Sequence, residues 1–351
     1  MAYTTINKST DYFNTKLYTG NGADATAYTG VGFQPDWTWI KKRNGTNYHV
    51  LTDAVRGATK QIYSNDTSAE QTVASGLQSF NADGFTLGTN ADTNGNGGTY
   101  ASWNWLAGGA GSANTDGTIN STVSANTTAG FSIVKWTGNG TNDATIGHGL
   151  GVAPKMIIVK NTSDSVNWRV WHTSLSANNV LFLNTNQAEM TPAAQGNGYI
   201  KTVGTSTFST YAGSTDDNGV NGNGDAMIAY CFAEKSGYSK FGSYTGNGNA
   251  DGTFVYTGFK PAFFLVKCTG TTDDWFIYDN KRDPRNLMQT RLRPNTTTAD
   301  TTNTAYYMDF LSNGFKLYTG NQGFNGSTRD YVYMAFGQTI VGSNNIPATA
   351  R

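Results

Sequence analysis

The chain has 351 residues, only 14% of them charged, and its 24 basic and 24 acidic side chains cancel to a formal net charge of zero. That balance excludes a protein built mainly to neutralise nucleic-acid phosphates, and the recurrent Trp, Tyr, Phe, Val and Ile exclude a disordered chain. The length asks for two or three cores, and no run approaches the roughly 18 apolar residues of a membrane-spanning helix, so no membrane insertion is expected.

Residues 1–11 read as an N-terminal extension without the apolar stretch of a signal peptide, so any export is expected by another route. The first patterned segment covers residues 12–106. It opens on "LYTGNGADATAYTGVGFQP" (Leu17–Pro35), which returns as "KWTGNGTNDATIGHGLGVAP" (Lys135–Pro154) and "SYTGNGNADGTFVYTGFKP" (Ser243–Pro261). In each, Thr-Gly-Asn-Gly follows an aromatic residue, and a proline closes the stretch 16 or 17 residues later. Such self-similarity marks a repeat architecture.

Past the proline the copies keep step. "PDWTWIKKR", "PKMIIVKNT" and "PAFFLVKCT" read as apolar strands with lysine near the end, and proline is tolerated at a strand entry. "YHVLTD", "WRVWHT" and "WFIYDN", from Tyr48, Trp168 and Trp275, alternate as half-buried strands do. A polar turn follows at Ser64, Leu183 and Pro294. Asp-Gly and Asn-Gly hairpins follow in "FNADGFTLGT" and "FLSNGFKLYT". Copy two has "TFSTYAG" there, a diverged hairpin. Each copy ends on a Gly/Asn-rich loop and an aromatic strand, "TYASWNWLA", "DAMIAYCFA" and "RDYVYMAFG".

The expected fold is therefore all-β: three tandem antiparallel β-sandwich or jelly-roll-like units of about 90–100 residues, each with its own core. Their bounds are 12–106, 131–234 and 241–338. A flexible Gly/Ser/Thr/Asn linker is expected at 107–130 and a C-terminal tail at 339–351. One helical turn is the most expected, near Asp53–Lys60. Thr-Gly-Asn-Gly reads as turn chemistry, because Gly and Asn accept left-handed geometry; no Gly-Lys-Ser/Thr follows to make a phosphate loop.

Candidate chemistry is sparse. His49 and His172 fall in roughly equivalent strands and His148 in a turn, so no metal set repeats. Cys231 and Cys268 sit in apolar contexts and are expected as buried free thiols. A glycosidase needs two acids across a cleft; Asp53, Glu70 and Asp83 are candidates, but most acids here lie in turns, and no enzyme is expected. Asp92, Asn94 and Asn96 in "DTNGNG" match the first half of a calcium loop, yet its twelfth position is Trp103 instead of an acid. The loop Asp216–Asp225 is similarly oxygen-rich. Turn chemistry explains both, so no cofactor is expected and calcium is the one metal left open. "DNKRDPRNLMQTRLRP" concentrates Lys281, Arg282, Arg285, Arg291 and Arg293, which suit an anionic glycan or phosphate. A salt-bridged face against a neighbouring subunit is the preferred alternative.

Taken together, "GFQPDWTWIKKRNG", "DAVRGATK", "SFNADGFTLGTN", "TTAGFSIVKWTGNGT", "GHGLGVAPKMIIVKN", "FAEKSGYSKFGSYTGNG" and "NNIPATAR" resemble an uncharacterised triple-repeat β-domain family of virion and tail proteins in tailed bacteriophages, particularly those of marine bacteria. The resemblance runs from about Tyr12 to Arg351. It implies a virion structural protein and carries no functional residue across. Two functions compete: a tail-fibre or tail-associated adhesin for a host surface glycan or protein, expected as a homotrimer, and a head decoration protein. The short segment before the first unit speaks against a self-contained fibre; the lack of a long lacing arm speaks against decoration. A tail adhesin is preferred, with other virion proteins as partners, and a glycan-degrading enzyme is the distant third.

Overall fold

The computed structural model describes residues 4–191, 198–212 and 219–338, which leaves the expected tail at 339–351 outside the described residues. The first stretch contributes β1 (Phe13–Thr19), β2 (Thr26–Thr29), β3 (Trp37–Lys42), β4 (His49–Asp53), β5 (Lys60–Tyr63), β6 (Gln71–Thr72), β7 (Leu77–Asn81), β8 (Gly84–Leu87) and β9 (Thr99–Trp105). The second has β10 (Ser112–Asn114), β11 (Ser121–Asn126), β12 (Phe131–Thr137), β13 (Ala144–Gly147), β14 (Met156–Asn161), β15 (Arg169–His172), β16 (Tyr199–Val203), β17 (Thr207–Tyr211) and β18 (Ala226–Phe232). The third has β19 (Ser239–Thr245), β20 (Phe254–Tyr256), β21 (Pro261–Cys268), β22 (Phe276–Asp279), β23 (Thr290–Arg291), β24 (Thr301–Thr302), β25 (Met308–Leu311), β26 (Gly314–Leu317) and β27 (Asp330–Gly337).

One strand order recurs in the three stretches. The larger sheets share the order β1-β9-β3-β4, β12-β18-β14-β15 and β19-β27-β21-β22, the first continuing into β5-β6 and the second preceded by β10-β11, and the smaller ones run β2-β8-β7, β13-β17-β16 and β20-β26-β25. All these pairings are antiparallel. Copy two keeps its hairpin, β16 to β17, around a turn at 204–206 that lacks Asp-Gly. Its counterpart positions pair without the residues that made the other two legible.

Each larger sheet is covered on both faces, which is why β3, β14 and β21 are buried along nearly their whole length. Ile40, Val159 and Val266 face outward to a small sheet, forming three separate outer cores. Trp37 and Trp39, Met156 and Ile158, and Phe263 and Leu265 face the other way and meet in a fourth core shared by all three units. Its rings touch across the boundaries: Trp37 stacks on Tyr230 at 4.2 Å and Phe13 on Phe336 at 5.0 Å.

Each unit keeps an outer core of its own, and the fourth core, common to all three, is the feature the sequence did not lead one to expect. Two neighbouring assignments change with it. Residues 107–130 are no flexible linker, because β10 and β11 pair with each other and β11 pairs with β12. The N-terminal extension is anchored, with Ile6 buried in the shared core. Both segments are poor in large side chains, so their ordering comes from the sheet and the core they join.

β3, β14 and β21 each also carry a buried lysine at the matching place. Lys41 Nζ donates to the carbonyls of Lys42 (2.8 Å) and Gly45 (2.9 Å), and Lys160 Nζ to those of Asn161 (2.6 Å) and Asp164 (3.0 Å). Lys267 Nζ does the same to Cys268 (2.5 Å) and Thr271 (3.4 Å). Burial pushes Lys41 and Lys267 down to about 8 and Lys160 down to about 7. The lysine at the strand end closes a turn from inside the protein.

Candidate functional site

The seams between units are built from a repeated set of polar contacts. Glu70 N–H donates to the Thr162 carbonyl (2.9 Å), Glu189 N–H to Thr269 (2.8 Å) and Asp300 N–H to Arg43 (2.7 Å). Unit one thus holds unit two, two holds three, and three returns to one. The ring is closed within a single chain.

The buried acids and histidines belong to these seams. Asp53 accepts from the Arg56 guanidinium (2.5 Å) and from Tyr230 Oη of unit two (2.8 Å). Asp279 accepts from Arg282 (2.6 Å) and from Trp103 Nε1 of unit one (3.1 Å). At the matching place His172 turns Nε2 to the Tyr333 carbonyl of unit three (3.3 Å) and accepts Ser174 N–H at Nδ1 (3.1 Å). Register explains the match: Trp37, Met156 and Phe263 pair with Asp53, His172 and Asp279. His49 corresponds to Trp168 and Trp275: its strand is the counterpart of the strand of His172, but the two histidines stand four register positions apart. Burial drives His172 down to about 4 and lowers His49 and His148 as well.

The candidate acid pair does not face across a cleft. Asp53 is buried, Glu70 bonds Arg56 (3.3 Å), and Asp83 caps the N–H groups of Gly30 (2.9 Å) and Gly32 (2.6 Å). Those two N–H bonds hold the Asp83 carboxyl below its usual range. Cys231 and Cys268 are buried free thiols, and burial pushes Cys231 up.

Asp92, Asn94 and Asn96, the half calcium loop of the sequence, make contacts within unit one. Asn94 ends α1 (Ala91–Asn94), a single α-helical turn the sequence did not signal; α2 (Gln322–Asn325) is another. Asn94 is buried, and its Oδ1 accepts Asn21 N–H (3.1 Å) while its backbone carbonyl accepts Gly22 N–H (2.8 Å). Asn221 takes Asn139 (3.1 Å) and Gly140 (2.9 Å) in the same way, and Asn325 takes Asn247 (3.1 Å) and Gly248 (2.9 Å). Asp92 accepts from Asn47 Nδ2 (2.8 Å), and Asn96 lies against Gly22. Part of the Asp216–Asp225 loop lies outside the described residues. Among the described residues, no group of three or more His, Cys, Asp and Glu side chains is arranged to hold a metal.

Thr-Gly-Asn-Gly is thus the other half of an asparagine clamp. Its first glycine permits close approach: a Cβ on Gly20 would stand 2.5 Å from the Gly95 carbonyl. Its second supplies positive φ, +67° at Gly22, 69° at Gly140 and 70° at Gly248.

The basic segment of unit three divides. Arg282 is buried between Asp279 and Asp300 (2.6 and 3.0 Å), Arg291 lies 3.6 Å over the Tyr306 ring, and Arg293 pairs with Asp274 (3.3 Å). These three are engaged within the chain, Arg282 and Arg293 in ion pairs and Arg291 against an aromatic ring. Lys281 and Arg285 are exposed and line two adjoining clefts of about 210 and 230 Å3, the latter also lined by Lys260. Lys260 escaped notice because it sits before β21, away from the arginine run. Unit one runs from Arg56 to Ser64 where unit three runs from Arg282 to Pro294, four residues longer. Asn286 anchors the longer loop: its side chain donates to the Phe310 carbonyl (3.2 Å) and accepts Phe310 N–H (3.0 Å). Asp283 is committed to the N–H groups of Gln289 (2.7 Å) and Thr290 (2.6 Å). Lys260 and Arg285 make the cleft of unit three a cationic hollow.

Among the described residues no helix is long and apolar enough to cross a membrane. A family model described as Domain of unknown function (DUF7483) matches residues 8–339. No curated protein and no solved structure matches the chain.

Proposed function

The chain belongs to the DUF7483 family, and we propose that it is a virion structural protein of a tailed bacteriophage, a tail-associated adhesin that recognises a host surface receptor. The observation that carries this reading is asymmetry within the ring. Units one and two match the third in the shared four-strand order and in the seams, while among the described residues the third carries the longer loop and its cationic cleft. A recognition protein needs one distinctive surface on a rigid support. The ring provides the support and unit three the surface.

Its partners in this reading are other virion proteins and a host surface glycan or protein, with many copies per particle raising avidity through weak sites. Head decoration is the second reading, supported by the closed threefold order, which suits a local threefold position on a capsid. Against it, the exposed surfaces of the units differ, whereas a threefold seat needs three like contacts. A glycan-degrading enzyme has least support, since Asp53, Glu70 and Asp83 are spent on structure.

Gold-labelled antibody against the protein on intact virions tests the reading. Gold at the tail is expected. Gold spread over the head would overturn the adhesin and make capsid stability the quantity to measure.

A further inference from the structure

The outward face of the sheet β20-β26-β25 departs from its counterparts. Phe254 and Tyr256 are 45% and 60% exposed on β20, alternating with inward Val255. Register places Phe254 opposite Lys316 and Tyr256 opposite Gly314. The same positions hold Ala27 and Thr29 in unit one and Thr145 and Gly147 in unit two. The sheet therefore forms without these rings, and burying none of them serves the core.

Around the rings the chemistry is polar and mixed. The Phe254 ring lies over Gly314, whose added Cβ would stand 3.1 Å from it. Lys316 Nζ bonds Asp251 (2.6 Å) and the Gly252 carbonyl (3.2 Å) and sits 5.7 Å from the Tyr318 ring centroid. The Asp251 side chain is 90% exposed, so this ion pair adds little to stability. It does set a donor and an acceptor beside two open aromatic faces.

We infer that this face is a stacking site for a neutral saccharide, an inference that rests on the adhesin reading and names its ligand class. The C–H face of a sugar ring lies on Phe254 and Tyr256, and its hydroxyls bond the Lys316 ammonium and the Asp251 carboxylate. Area separates this from a protein partner: the two rings offer on the order of 200 Å2, against about 800 Å2 per side in a stable protein interface. Charge separates it from an anionic ligand, because Lys316 is already neutralised by Asp251. An aromatic platform rimmed by a few placed polar groups is the usual make-up of a small-ligand site.

The test uses the full chain on a printed array of neutral oligosaccharides built from hexose, deoxyhexose and N-acetylhexosamine. Wild type is expected to bind at least one of them, and Phe254→Ala with Tyr256→Ala to weaken it by about tenfold or more at an unchanged melting temperature. Thr29→Ala, at the unit-one position, should change nothing. If the double variant fails to fold, Tyr256→Thr, the unit-one residue, carries the comparison. No retention of wild type on the array, or equal retention of folded wild type and variant, would overturn the inference. Adsorption to host cells is measured in parallel: adsorption without array binding overturns the saccharide and leaves the adhesin, whereas gold on the head overturns the adhesin whatever the array shows.

Discussion

Trp168 Nε1 donates to the Tyr63 carbonyl at 2.8 Å, tying the second unit to the first at the point where Trp275 Nε1 ties the third to the second through Phe182, also at 2.8 Å. His49 occupies the third such position, with the Arg293 backbone of unit three beside its ring. Each indole is buried, so its N–H has no water to fall back on.

Trp275→Phe should keep most of the ring packing and strand the Phe182 carbonyl. The expected loss is about 1–3 kcal/mol, read as a lower denaturant midpoint with an unchanged slope. A loss below about 0.5 kcal/mol would mean the seam is held by apolar contact alone.

Deleting residues 1–106 should abolish cooperative unfolding of the remainder. It removes Trp37, Trp39, Trp103 and Trp105 from the shared core and exposes the faces of β14 and β21 that packed on them. A fragment that melts in one sharp transition would show that the outer cores suffice.

The two glycines of a clamp should differ in sensitivity. Gly20→Ala drives a methyl to 2.5 Å from a backbone carbonyl, whereas Gly22→Ala meets its nearest atom at 3.1 Å and mainly strains φ. Thermal melts should rank Gly20→Ala as the more damaging, with Gly22→Ala costing about 1–2 kcal/mol.

Stability should fall in mild acid. The His172 pKa is lowered to about 4 in the fold from an ordinary 6.5, so the unfolded chain takes up the proton first as pH drops. The stabilisation is whole above pH 6.5 and is lost by about pH 4, at roughly 1.4 kcal/mol per pH unit, about 3 kcal/mol in all. His172→Asn keeps an acceptor for Ser174 N–H and should reduce that slope in urea melts repeated across the range, leaving the part due to the likewise lowered His49 and His148.

Chelator should leave the melting temperature where it is. The Asn94 carboxamide oxygen that a calcium ion would need already accepts Asn21 N–H. A midpoint several degrees lower in chelator would return Asp92 and Asn96 to consideration as ligands.

Strand positions and their repetition were readable because apolar runs, entry prolines and Gly-containing turns are local signals. The shared core was not. "PDWTWIKKR" shows that both faces of β3 are apolar, yet nothing in it says that Trp37 meets Tyr230 of another unit. The asparagine clamp was half legible: Thr-Gly-Asn-Gly stands out, while Asn94, Asn221 and Asn325 lie more than seventy residues away and read as ordinary turn residues. In the basic segment, charge density along the chain suggested a patch, but the fold turned Arg282, Arg291 and Arg293 inward and brought Lys260 to Arg285 from a different strand entry.

A ring of three separate chains must carry every substitution three times, so a ring or groove evolved for a ligand appears at all three faces and any cost to packing is tripled. Here the three faces are written once each. Tyr256 stands where unit one keeps Thr29, so one third of the ring can change while the other two hold the shared core unchanged. The proposed saccharide face then occurs once per chain, and any multivalency on the particle has to come from the number of chains it displays and their spacing.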